Sequence, residues 1–153
     1  YIIMKLAEAL SLRKDLQKKI DQLSSRLTQN VKIQEGDEPA EQPEELLKVL
    51  DECLKQLEEL ILKINITNLK TERNGRTLTA MMAERDVLTK RIGILREAFN
   101  AATQTQDRYS RTEIKYVSTI DIKALNKQID HFSQELRKLD MQIQATNFEV
   151  DLV

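Results

Sequence analysis

Apolar residues in this chain recur at steps of three and four over four long stretches, and Lys, Glu, Gln and Arg dominate the positions between them. A period near 3.5 residues keeps successive apolar side chains on one face, so each stretch reads as an α-helix with one apolar seam. The first runs from about Met4 to Gln29, with Leu6, Ala9, Leu16, Ile20, Leu23 and Leu27 in its seam and Arg13 at a seam position. The second, about Pro43 to Asn68, carries Leu47, Leu50, Leu54, Leu57, Ile61 and Ile64, and Asn68 takes the next slot. Pro43 suits its first turn, where a fixed backbone angle costs no hydrogen bond. After a tight turn at Asn74 and Gly75, Thr77 caps a third helix bearing Leu78, Met81, Leu88, Ile92, Leu95, Phe99 and Ala102, with Arg85 in the seam. Asp121 caps the fourth, whose seam is Ile122, Leu125, Ile129, Phe132, Leu136, Leu139, Ile143 and Thr146.

Helices of similar span joined by short connections favour an up-down-up-down order. The fold class expected is therefore all-α: four long antiparallel helices in a coiled-coil-like bundle, one domain over residues 4–153, with a small β-hairpin or strand element in the loops. Three segments alternate as strands do: Val31 to Gln34, Glu113 to Val117, and Phe148 to Leu152. The first two fall at one end of such a bundle and are expected to share a small sheet. The third has only the N-terminal residues as an in-chain partner, and an unpaired apolar edge invites another subunit. Tyr1, Ile2 and Ile3 precede Met4, which looks like a natural start, and stand outside the fold argument.

Composition narrows the function classes. With 24 Lys and Arg against 25 Asp and Glu the net charge is −1, so no overall field gathers nucleic acid or anionic lipid. No apolar run approaches the roughly 20 residues that cross a bilayer, and the N-terminus has no signal-peptide pattern. A cytoplasmic location is expected, and the single cysteine, Cys53, fits a reducing compartment.

Several loop motifs are more specific than the helices: Val31-Lys32-Ile33-Gln34-Glu35-Gly36-Asp37-Glu38-Pro39-Ala40-Glu41, Gly75-Arg76-Thr77-Leu78-Thr79 and Gln106-Asp107-Arg108-Tyr109-Ser110-Arg111-Thr112-Glu113-Ile114-Lys115, together with Met4-Lys5-Leu6-Ala7-Glu8-Ala9-Leu10 near the start. In these the chain resembles the septicolysin-like family of small bacterial proteins. The resemblance implies a helical fold, a homo-oligomer of six subunits and no established activity, and it supplies no catalytic residue. The family's name implies a thiol-activated cytolysin.

Candidate chemistry is sparse. The one histidine, His131, lies on the flank of the fourth helix and reads as a surface residue. No catalytic triad, metal-ligand cluster or phosphate-cradling glycine loop has its residues at usable spacing, so no catalytic residue, cofactor or metal is expected. Cys53, just before Leu54 and beside Asp51 and Glu52, reads as a half-buried structural cysteine. Asp107, Arg108, Tyr109, Arg111 and Lys115 interleave cations and an aromatic on one loop, either as a binding surface or in pairs with Glu35, Asp37, Glu38 and Glu41. Arg13 and Arg85 fall in one layer of the expected bundle, near Glu59 and Asp140. Either a carboxylate-paired polar layer fixes register there or both arginines reach out to solvent. The function expected is a non-enzymatic, self-associating structural or interaction module whose partner is itself. The alternatives are a membrane-acting cytolysin and nucleic-acid binding through the Arg108 to Lys115 loop.

Overall fold

A computed structural model describes residues 3–104 and 114–153. Its helices are α1 (Leu6–Asn30), α2 (Pro43–Lys70), α3 (Leu78–Thr103) and α4 (Ile122–Glu149), and a two-residue hairpin, β1 (Glu72–Arg73) with β2 (Arg76–Thr77), links α2 to α3. The fold is all-α with a small β element, as the spacing predicts. The chain divides into two compact units, Tyr1–Thr77 with Ala145–Val153, and Leu78–Gln144.

In the first unit α1 and α2 pack antiparallel, and each helix carries a row of buried residues that recurs every seven positions. Ala9, Leu16, Leu23 and Asn30 on α1 stand seven residues apart and are all buried, as are Leu46, Cys53, Leu60 and Thr67 on α2. One row on each helix faces the partner while the intervening seam residues, such as Arg13, Ile20, Leu50 and Leu57, are half-buried. On α1 these are the expected residues, Asn30 excepted. On α2 the expected Ile64 and Asn68 are buried, but one row of the seam is shifted by one: Leu46, Cys53 and Leu60 are inside, whereas Leu47 is 50% and Leu54 46% exposed. The reason is a doubling in the sequence, since apolar residues occur side by side at 46 and 47, 53 and 54, and 60 and 61. Spacing alone admits both registers, and contact with α1 selects one.

The second unit pairs α3 with α4 antiparallel, with Arg85 reaching Asp140 and Arg91 lying over the Phe132 ring at 4.9 Å. Leu78, Met81, Leu88 and Ile92 from α3, and Leu125, Ile129, Leu139 and Ile143 from α4, are buried in the predicted register. The α4 cap is also as expected: Ala124 N donates to Asp121 Oδ1 at 3.1 Å.

The β element lies elsewhere than predicted. Asn74 (φ 55°) and Gly75 (φ 81°) form the turn of the β1–β2 hairpin, both in the left-handed region that such two-residue turns require. Val31 to Gln34 and Ile114 to Val117 form no strand, and Glu113 lies outside the described residues. The C-terminal segment is helical through Glu149, because the α4 pattern runs on past Thr146 and takes in Phe148. Only the residues beyond it are extended. They pair with the N-terminus in one antiparallel bridge, Lys5 with Asp151, in which Leu6 N donates to Val150 O at 2.9 Å and Leu152 N to Met4 O at 2.7 Å.

The α1–α2 register is tested by three leucines. Leu16→Ala and Leu60→Ala are each expected to cost about 2–5 kcal/mol of unfolding free energy, and Leu54→Ala below about 1 kcal/mol. Urea denaturation of the three variants checks this, and an equal loss at Leu54 would contradict the shifted seam.

Candidate functional site

Both buried rows of the first unit end on a polar residue, and each fastens a segment that has no helix of its own. Asn30, last in the α1 row, donates from Nδ2 to Arg26 O at 2.7 Å and accepts from Glu41 N at its Oδ1 at 3.0 Å. Arg26 then grips the Glu41 carboxylate at both oxygens, with Nε at 2.9 Å from Oε2 and a second bond to Oε1. Such a fork matches a carboxylate in geometry as well as charge. The hydrogen bond from Arg26, with its charge, holds the Glu41 carboxyl below the usual range, and Glu41 raises the Arg26 guanidinium in return. The loop between α1 and α2 is thus pinned to the end of α1.

Thr67, last in the α2 row, donates from Oγ1 to Lys63 O at 2.8 Å and accepts from Val153 N at 3.1 Å. Lys5 adds to the same anchorage: its Nζ lies 2.8 Å from Asp151 Oδ1 and donates to Glu149 O at 3.2 Å. Arg73 of the hairpin approaches Glu149 at 3.7 Å. The C-terminal residues, the N-terminus and the end of α2 therefore hold one another. Asn30 and Thr67 are the polar anchors that the sequence reading passed over. Their signal was register, since each stands seven residues after a buried leucine.

Of the four residues expected in a polar seam layer, Arg85 and Asp140 meet, at 3.8 Å, with Asp86 also 3.6 Å from the guanidinium. The Arg85 side chain keeps 34% of its surface in solvent, which places it at the seam's rim. Arg13 is half-buried at its seam position in the first unit, and Glu59 is exposed beside a cleft lined by Leu12, Leu16, Leu60 and Leu152. In the candidate interaction loop Asp107, Arg108, Tyr109 and Arg111 lie outside the described residues, and Lys115 is exposed. Glu41, expected to face that loop, has its carboxylate engaged by Arg26. Cys53 is fully inside the α1–α2 seam at 4% exposure, where a half-buried position was expected, because the seam runs one residue earlier on α2. His131 is on the surface and pairs with Glu135 at 3.2 Å. Among the described residues no group of three His, Cys, Asp or Glu could hold a metal ion, and no helix is long and apolar enough to cross a membrane.

A family model described as a family of unknown function (DUF6847) matches residues 13–152. The crystal structure of a functionally unknown conserved protein from Corynebacterium diphtheriae superposes with a TM-score of 0.93 at 40% identity, covering 99% of this chain and 100% of that one. Neither description carries the septicolysin-like name that the loop motifs suggest. No curated protein matches.

Two measurements address this geometry. Because burial withholds the thiol from reagent, native Cys53 is expected to react with a disulfide reagent about 100-fold or more slowly than in the denatured chain. Rapid native labelling would contradict its place in the seam. The carboxyl of Glu41 is expected to titrate below the ordinary glutamate range by NMR, and Arg26→Gln to return it there. A depressed carboxyl contributes above its unfolded value, so the loop anchorage is lost as pH falls through the folded value.

Proposed function

The chain belongs to the family of unknown function DUF6847, and from that premise we propose that it is a non-enzymatic helical module that assembles with further copies of itself. The observation that carries the reading is a second apolar register left on the surface. Leu47 and Leu54 stand seven apart on α2, each beside a buried seam residue, and on α3 Val87 and Ile94 stand seven apart at 60% and 57% exposure. Single exposed leucines are ordinary on monomers. Repetition at seven residues is different, because it is the spacing with which one helix receives another. Val87 and Ile94 also flank a shallow apolar groove with Leu95, edged by Lys90 and Arg91.

The non-enzymatic part of the reading rests on where the reactive groups are. The histidine is a surface ion-pair partner and the cysteine is sealed in a helix seam, so neither is poised to act as nucleophile or base. A buried free thiol also suits a reducing, cytoplasmic setting. The likeness to septicolysin-like proteins favours six subunits, and an even number built from dimers agrees with the closed symmetries that homo-oligomers adopt.

Sedimentation velocity at micromolar concentration is expected to give a stable assembly that persists at high salt, since its contacts are apolar. Val87→Glu with Ile94→Glu, or Leu47→Ser with Leu54→Ser, is expected to dissociate it with helicity by circular dichroism unchanged. A monomeric intact chain would overturn the reading. Leakage from liposomes caused by the intact chain would turn it towards the cytolysin alternative.

A further inference from the structure

On one flank of the α3–α4 packing, Gly93 and Arg96 from α3 and Ser133 and Arg137 from α4 line a groove of about 410 Å³ whose floor is Ile92 and Leu136. Four of these residues lack a local reason for what they are. Gly93 sits in the interior of a long helix, where glycine costs about 1 kcal/mol relative to alanine. Nothing lies within 4 Å of where its Cβ would be, so close packing does not demand it. Its effect is to leave bare backbone at the middle of the groove. The Ser133 Oγ is shielded from solvent and makes no hydrogen bond, a state that normally costs free energy until a partner arrives. Arg96 and Arg137 pair with no carboxylate among the described residues, whereas Arg85 is matched with Asp140 and Arg91 is stacked on Phe132.

Their placement is convergent. Arg96 is three residues beyond Gly93 on α3, and Arg137 is four beyond Ser133 on α4, so they stand roughly 4.5 and 6 Å along their helices from the groove's middle. The helices are antiparallel, so the two cations flank the Gly93–Ser133 centre from opposite ends, each within side-chain reach of it. We infer that this groove binds a phosphoryl group, with the guanidinium groups of Arg96 and Arg137 on either side of the anion and the Ser133 hydroxyl, turned outward about its χ1 bond from its shielded position, donating to it. A carboxylate offers two oxygens, which one guanidinium fork already satisfies. A phosphoryl group offers more acceptors and a second charge, matching two forks and a hydroxyl. The room over Gly93 is where the anion sits, and a side chain there would intrude.

Two-dimensional NMR of the intact chain at constant ionic strength tests this, with inorganic phosphate and phenyl phosphate as separate probes. Saturable shifts at the Gly93 and Ser133 amides are expected from at least one probe. Binding of inorganic phosphate marks a free anion as the source, and binding of the ester alone marks a phosphorylated small molecule. Arg96→Ala and Arg137→Ala are each expected to weaken binding about tenfold or more, while Arg91→Ala, on the opposite flank, leaves it unchanged. Gly93→Ala supplies a signature that a purely structural glycine would not show. It is expected to raise Tm by about 2–4 °C, as the better helix former, and to weaken binding. The proposal is overturned if neither probe gives a saturable shift in the millimolar range, or if both arginine variants bind as the parent does.

Discussion

Burial of every seventh residue along α1 and α2 is the constraint on which the first unit depends. Ala9, Leu16 and Leu23 face Leu46, Cys53 and Leu60 in a seam too narrow to hide the whole apolar content of either helix. Burying one such side chain stabilises by about 1.5–3 kcal/mol, and these contributions recur at each heptad, so sliding either helix by one residue would forfeit several at once. This is why the register on α2 is definite although its sequence offers two. It is also why Cys53 is inside: a cysteine serves as a small apolar side chain in a row otherwise filled by leucine and threonine.

The polar ends of the rows convert that packing into a closed unit. Asn30 and Thr67 continue the seven-residue spacing by one step and bring hydrogen-bonding groups into partly buried positions, where an unsatisfied group would be costly. Each is satisfied by backbone from a segment outside its helix, Glu41 N in one case and Val153 N in the other. The loop after α1 and the residues after α4 are held for the same reason, and the Lys5–Asp151 bridge adds a short ladder to the second. An edge that the alternating pattern offered to another subunit is occupied from within the chain.

What the packing leaves over is what points to function. The arginines of the second unit divide by their surroundings: Arg85 meets carboxylates at the seam's rim, Arg91 lies on an aromatic face, and the exposed Arg96 and Arg137 line a groove that Ser133, with its unpartnered hydroxyl, also lines. The surplus apolar register at Leu47, Leu54, Val87 and Ile94 has a different character and a different use, since it asks for a helix and the groove asks for an anion. The two lie on different residues, so assembly and ligand binding can be separated by mutation.

Helix number, helix extents and the seams of α1, α3 and α4 were legible in the spacing of apolar residues, because a single stripe at steps of three and four permits one amphipathic solution. The turn at Asn74 and Gly75 was legible too, since those residues tolerate the left-handed backbone angles it needs. Where two solutions were equally apolar, as on α2, only contact with the neighbouring helix chose between them. Alternation at Val31 to Gln34 and Ile114 to Val117 did not make strands, because a strand exists only with an edge to pair with. Phe148 was drawn into α4 for a related reason: helix propagation adds a hydrogen bond per residue, while an isolated extended residue gains none. Which arginines lack partners, and that a glycine and a serine stand between two of them, depended on how α3 lies against α4. No periodicity in the chain encodes that, because it is a relation between residues some forty positions apart, set by the packing of two helices on each other.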